Sequence, residues 1–382
     1  ERKKVRRVTN SSIKMQGSNS FLLIPPMPIF YMPMIANSQI SDYQHDSNSM
    51  NNTHGPTHGP CVYTSPGTSA SNNELVDVDV DNIELTVDEH NQRMTIYSEL
   101  SRLIHSLFPS PNLIVEIFGS ISMNLALTGA DLDLRVIMGR NMKRNEIQQL
   151  LWKLKRHLQR NFLYARNLKV IPARVPIIKM VAFDVVECDI SILPQDTMEA
   201  RGNISLINNI LRLDPRIRPL ILVIKKNAQV LDIGDASKRQ LNSYGWTLLG
   251  ISYLQQVSPP VIPPLKFLLN GSLTIENWKL HEAPSSSCDK EAVSEWLKKA
   301  KAPNLQPCSS LYHDFVEWDI FQNSSAQTKY RIDVKSGIVS NLKDQKAGFF
   351  FHVADPLNTE SNVARALSAE GWDAIHKAFK FE

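Results

Sequence analysis

The stretch FGSISMNLALTGADLDLRV at 118–136 constrains the fold of this chain more than any other. An apolar run, LIVEI, leads into Gly119 and Ser120. A short helical segment follows, and then DLDLRVIM alternates polar with apolar residues. Where a strand turns into a helix N-terminus, free backbone N–H groups and the positive end of the dipole lie together. With the Ser120 hydroxyl beside them, that spot suits phosphate oxygens. Side chains in the following strand alternate faces, so Asp131 and Asp133 share one face while Leu132 and Leu134 point into the core. Two carboxylates on one face with no basic partner in the strand repel each other. A divalent cation, Mg2+ or Mn2+, is the ordinary resolution, completed by substrate phosphates that the Gly-Ser turn can hold.

A third carboxylate is expected on a neighbouring strand, and DVVECDISIL at 184–193 supplies it. Val186, Cys188, Ile190 and Ile192 face inward, and Glu187, Asp189 and Ser191 face outward. Asp189 is the better candidate because it sits mid-strand between apolar residues that fix its direction. The metal set expected is Asp131, Asp133 and Asp189. An amphipathic sheet with an idle polar face would explain an isolated DxD. It does not explain the Gly-Ser turn, the strand–helix–strand context and the later Asp together.

The rest of the chain organises around this segment. Residues 1–80 read as a disordered tail rich in Ser, Asn, Pro and Gly, with a tandem THGPTHGP and an apolar island, FLLIPPMPIFYMPMIA, that suits docking to a protein partner. Asp77, Asp79 and Asp81 imitate a calcium loop, yet Asn82 stands where its glycine belongs. Leu85, Tyr97, Leu100, Leu103, Ile104 and Leu107 predict a helix within 81–111 that joins the helical domain. A small α+β domain carrying the carboxylates is expected over 112–195, with a helix marked by Ile147, Leu151, Leu154 and Leu158. Beyond it, 196–382 reads as mainly helical, including ISLINNILRL, RIRPLILVIKKNAQVL and SYGWTLLGISYLQQV. The fold class is α+β.

Composition agrees with a globular protein, at 42% hydrophobic and 21% charged residues with a net charge of only +4. The four cysteines form no CxxC pair, which argues against a zinc site and for reduced thiols in the cytoplasm or the nucleus. The prolines in the island at 21–36 argue against a membrane span.

Five ordered segments carry a family resemblance: FGS with DLDL; ARVPIIK with CDIS; LDPRIRPLILVIK; LNSYGWTLLGISYLQQ with PPVIP; and ADPLNTESNVARAL. From about 84 to 382 the chain resembles the terminal uridylyltransferases and cytoplasmic-type poly(A) polymerases of the polymerase-β superfamily. The resemblance implies a polymerase-β-like nucleotidyltransferase domain facing a helical, poly(A)-polymerase-associated domain across a cleft. It implies an enzyme that attacks the α-phosphate of a nucleoside triphosphate with an RNA 3′-hydroxyl. By the same resemblance, Ser120 contacts the triphosphate, Asp189 helps to deprotonate the hydroxyl, Asn203 holds the ribose and Lys225 the triphosphate. Ser243 binds a phosphate, Tyr244 stacks on the base, and Asp355 belongs to the base-reading loop.

The chain departs from the family pattern at several positions. Ser361 stands where many uridylyltransferases carry a histidine that favours uracil, so the choice among UTP, ATP and GTP is open. UMP addition is the leading expectation, AMP addition the first alternative, and an inactive RNA-binding scaffold the second. Asn358, Gln229, Asn124 and Asn242 are further departures. Arg140, Lys143, Arg144, Lys153, Arg156, Arg160, Arg166 and Lys169 are expected on the catalytic side, where they would bind the phosphates of single-stranded RNA.

Overall fold

Thr86 starts the first helix: its hydroxyl accepts from the Glu89 N–H while the Glu89 carboxylate accepts from the Thr86 N–H, a reciprocal cap. The structure, a computed structural model, describes residues 75–194, 198–283, 285, 289–322, 330–341 and 351–380. The island at 21–36, the THGP tandem, Cys61 and Cys288 lie outside the described residues. Among the described residues no helix is long and apolar enough to cross a membrane.

Helix α1 (Val87–Leu107) is followed by β1 (Ile114–Phe118), α2 (Gly119–Ser122), β2 (Leu132–Ile137), α3 (Arg144–Asn161), β3 (Ala165–Ile171), β4 (Ile177–Ala182) and β5 (Val186–Leu193). The five strands form one sheet in the order β1-β2-β5-β4-β3, in which only β2 and β5 pair in parallel. Leu132, Leu134, Val136, Val186, Cys188, Ile190 and Ile192 turn to one face of this sheet. There they pack with Ile96, Leu100 and Ile104 of α1 and Leu151, Leu154 and Leu158 of α3. The opposite face carries Asp133 and Asp189. Ser191 also turns to that side but is buried, its hydroxyl donating to the Leu134 carbonyl.

Two expectations need correction here. The helix expected in 81–111 was assigned to the helical domain, yet α1 buries its apolar stripe in the core of the first sheet. Only its lead-in, through Val78, Val80 and Ile83, packs against the second core. The apolar stripe of α3 also places that helix behind the sheet, so the exposed Lys153, Arg156 and Arg160 point away from the carboxylates rather than lying on their side.

The second core is built from α4 (Met198–Ile210), α5 (Ile217–Val230), α6 (Ser243–Gln256), α7 (Leu265–Leu269), α8 (Ile275–Lys279), α9 (Lys290–Ala300), α10 (Cys308–Val316), α11 (Asp319–Gln322) and α12 (Ala369–Phe379). Helix α6 is apolar nearly all round and is buried accordingly. This region also contains a three-stranded sheet, ordered β7-β6-β8, from β6 (Tyr330–Asp333), β7 (Ile338–Asn341) and β8 (Phe351–Val353). The sequence reading missed it, although YRID and IVSN flanking a turn with Gly337 at φ 71° is a hairpin signal. Asp77 accepts hydrogen bonds from the Ser309 backbone and hydroxyl, tying the start of the described chain to α10.

Candidate active site

Strand pairing decides which carboxylates meet. Asp133 and Asp189 lie directly opposite each other on the parallel strands β2 and β5. Burial, followed by the charges of Asp189 and Asp131, pushes the Asp133 carboxyl up to about 7. Burial raises Asp189 and Asp131 as well, with Glu187 the next cause that raises each of them. Lys179 on β4, opposite Asp189, answers this charge in part: its Nζ is 2.5 Å from Glu187 Oε2 and 3.9 Å from Asp189 Oδ1. Asp189 Oδ1 is buried without a hydrogen bond. Among the described residues no three His, Cys, Asp or Glu side chains form a finished metal cage. The donor set nonetheless fits a divalent cation: hard carboxylate oxygens, an orphaned one among them, in a place where negative charge is costly.

The turn before β2 is held in place from two sides. Gly119 has φ 72°, and a Cβ there would run into the Asp133 carboxylate. Only glycine satisfies both conditions. Asn124 also takes a left-handed backbone, φ 55°; asparagine tolerates that region better than most residues. From α1, the buried Arg93 donates to the Ala130 carbonyl at 2.8 and 2.6 Å through Nε and Nη2. Glu89 Oε1 accepts from the Gly129 N–H at 2.8 Å. These two side chains fix the backbone that delivers Asp131. Sequence reasoning missed them, although an arginine three residues before Ile96 on the apolar stripe was a visible signal.

One cavity of about 690 Å3 gathers Gly119, Ser120, Asp131, Asp133, Lys225, Ser243 and Tyr244. Lys225 reaches it from α5, 7% exposed, with its ammonium donating to the Leu125 carbonyl. Burial pulls its pKa down to about 8. Ser243 opens α6, whose N-terminus is capped by Asn242 accepting from the Gly245 N–H at 2.7 Å. Asparagine is among the residues best suited to this capping role. Gln229 lies on the wall and offers it an amide.

Asn203 and Asp355, 152 residues apart, meet directly: Asn203 Nδ2 donates to Asp355 Oδ2 at 2.9 Å. The other carboxylate oxygen, Oδ1, accepts from the Leu357 and Asn358 N–H groups, so Asp355 organises its own loop. The loop closes through the Ser361 carbonyl, which accepts from the Asp355 N–H at 3.0 Å. Tyr244 lies near enough for burial and then the Asp355 charge to raise its hydroxyl. Tyr244 Oη and Asn203 Oδ1 are buried without partners, two polar atoms that a nucleotide could satisfy. Asn203 and Asp355 do not line the main cavity.

Residues 73–201 match the family described as poly(A) RNA polymerase, mitochondrial-like, central palm domain. The chain is 27% identical to Protein HESO1 of Arabidopsis thaliana over 312 residues, which cover 78% of this chain and 60% of that protein. It is 26% identical to terminal uridylyltransferase 7 of Homo sapiens over 301 residues, 77% of this chain and 19% of that protein. The chain therefore spans less than two thirds of the length of these curated relatives. A solved structure of the Cid1 poly(U) polymerase with Mg and 3′-dATP shares the fold, with a TM-score of 0.59, 24% identity, and coverage of 78% of this chain and 88% of that one. With the strand order, the paired aspartates and the glycine turn already described, the chain is similar in its palm segment to the poly(A) RNA polymerase family model, in sequence to terminal uridylyltransferases, and in fold to the Cid1 poly(U) polymerase.

Proposed function

We propose that this protein is a template-independent RNA 3′-terminal nucleotidyltransferase, with residues 112–195 as its catalytic domain and 196–382 as its nucleotide-holding partner domain. The observation that carries the reading is the pairing of Asp133 with Asp189 across β2 and β5, beside a cavity that also holds Gly119, Ser120 and Lys225. Asp131, Asp133 and Asp189 would hold Mg2+ or Mn2+, which supplies charge neutralisation at the transferring phosphoryl group and activation of the hydroxyl.

The chain's own groups do the rest. Ser120 and the N–H groups of the Gly119 turn bind the triphosphate, and Lys225 leaves the Leu125 carbonyl to pair with it. The N-terminus of α6 with Ser243 binds a phosphate, and Tyr244 supports the base. Asn203 orients the ribose, and Asp355 holds Asn203 and the base-reading loop. Asp189 accepts the proton of the RNA 3′-hydroxyl. The 3′-oxygen then bonds to the α-phosphorus as the bond from that phosphorus to pyrophosphate breaks.

UMP addition is the preferred reading, supported by the likeness to a terminal uridylyltransferase over most of this chain. AMP addition is the second, favoured by the match to the poly(A) RNA polymerase palm and by Ser361 in the base-reading loop. Extension of a labelled single-stranded RNA, with Mg2+ and each triphosphate supplied separately, tests both. Growth with UTP alone supports the first reading, growth with ATP supports the second, and no growth with any triphosphate overturns the enzyme.

A further inference from the structure

The face of the first sheet that carries the carboxylates also carries a line of cations that the nucleotide site does not use. Strand register defines it. Asp133 is opposite Asp189, Asp189 is opposite Lys179, and Lys179 is opposite Lys169 on the edge strand β3. Residues paired across strands share a face, so these four side chains form one row running from the catalytic pair to the rim of the sheet. Arg166 lies on the same face, opposite Val181. Lys179 is anchored by Glu187 at 2.5 Å, and Arg166 pairs loosely with Asp184 at 3.3 Å. Lys169 is exposed and has no ionic partner among the described residues. Strands lie about 4.8 Å apart, so Lys169 stands about 10 Å from Asp189, a span of very few nucleotides.

The other side of the aspartate pair is already taken. Gly119, Ser120 and Lys225 line the triphosphate cavity there, and Arg135 is committed to the Phe118 ring at 4.5 Å and to Glu116 at 3.5 Å. In phosphoryl transfer the attacking and leaving oxygens lie roughly in line across the phosphorus. With pyrophosphate departing toward Gly119 and Lys225, the attacking hydroxyl must approach from the side of Asp189 and Lys179. Resting on the reading of the chain as an RNA-extending enzyme, we propose that the acceptor RNA runs over β4 and β3. In this arrangement Lys179 positions the last internucleotide phosphate, and Lys169 binds the phosphates just upstream. The basic outer face of α3, behind the sheet, takes no part in holding the acceptor.

The test compares Lys169→Gln, Lys169→Arg and a variant of α3 carrying Lys153→Gln, Arg156→Gln and Arg160→Gln. Each is assayed by extension of RNA primers of stepwise length and by fluorescence anisotropy of a labelled RNA across a salt series. For Lys169→Gln the RNA KM should rise about three- to tenfold with the triphosphate KM unchanged. The salt slope of RNA binding should fall by about 0.7, the loss of one single-strand phosphate contact. Lys169→Arg should restore both, and the α3 variant should match wild type. An RNA KM and a salt slope unmoved by Lys169→Gln, in an enzyme that extends RNA, overturn the track alone. Loss of RNA affinity in the α3 variant overturns it in favour of the back face. If wild type extends no RNA, the underlying enzymatic reading falls with it.

Discussion

Gly119→Ala adds one methyl group to the turn before the catalytic strand, and the structure separates its two effects. The first is conformational. At φ 72° an alanine occupies the left-handed region, which costs about 1–2 kcal/mol. The second is local, because the new Cβ meets the Asp133 carboxylate and one of them must move. Displacing a reacting group by about 1 Å can cost about 100-fold in rate. Gly129 provides the control: its φ is 75°, but a Cβ there meets nothing within 4 Å. Both alanine variants should therefore lose about 1–2 kcal/mol, roughly 1–4 °C in Tm for a protein of this size. Only Gly119→Ala should lose about 100-fold in kcat, with Gly129→Ala within a few-fold of wild type. Thermal denaturation and single-turnover RNA extension read the two quantities. Equal activity in the two variants would refute the argument that the Gly119 turn and the Asp133 carboxylate share one space.

Three further predictions concern charge and nucleotide choice. Asp133 keeps its proton in the folded state up to about pH 7, whereas the unfolded carboxyl releases it near the ordinary aspartate value. The metal-free fold should thus lose stability as pH rises through that window, with the deficit complete above about pH 7. Mg2+ should raise Tm more at about pH 8 than at about pH 5.5, and a pH-independent Mg2+ effect contradicts the carboxylate assignment. Lys225 is depressed to about 8, so its burial cost is complete below that pH and fades as pH rises toward the ordinary lysine value. Relative to wild type, Lys225→Met should gain most stability below about pH 8 and lose ground above it, while the triphosphate KM rises about tenfold or more. Ser361→His should raise the ratio of UTP to ATP incorporation, and an unchanged ratio removes this loop position from base selection.

The carboxylates were legible because alternation in DLDL and CDIS fixes side-chain direction from sequence alone. Their pairing was not, because whether Asp133 or Asp131 stands opposite Asp189 depends on the register between two strands that are distant in the chain. Asp355 was visible as a motif member and Asn203 only through the family resemblance, but the hydrogen bond joining them closes a 152-residue loop that no local pattern encodes. The basic face of α3 was read correctly as a face and assigned to the wrong side. A helical stripe tells which residues are buried, not which face of a sheet receives them. Arg93 was overlooked because a charged residue on an apolar stripe reads as an interruption until its acceptors, the Ala130 and Glu89 carbonyls, are seen.

The central claim is that the aspartate pair on β2 and β5 drives nucleotide transfer to RNA. Extension of a labelled single-stranded RNA by wild type and by Asp189→Asn, with Mg2+ and all four triphosphates present and folding checked by circular dichroism, tests it most directly. The account predicts a ladder of extended products with wild type and loss of at least about 1,000-fold in the folded Asp189→Asn protein. Equal ladders from the two proteins, or none from wild type, would contradict it.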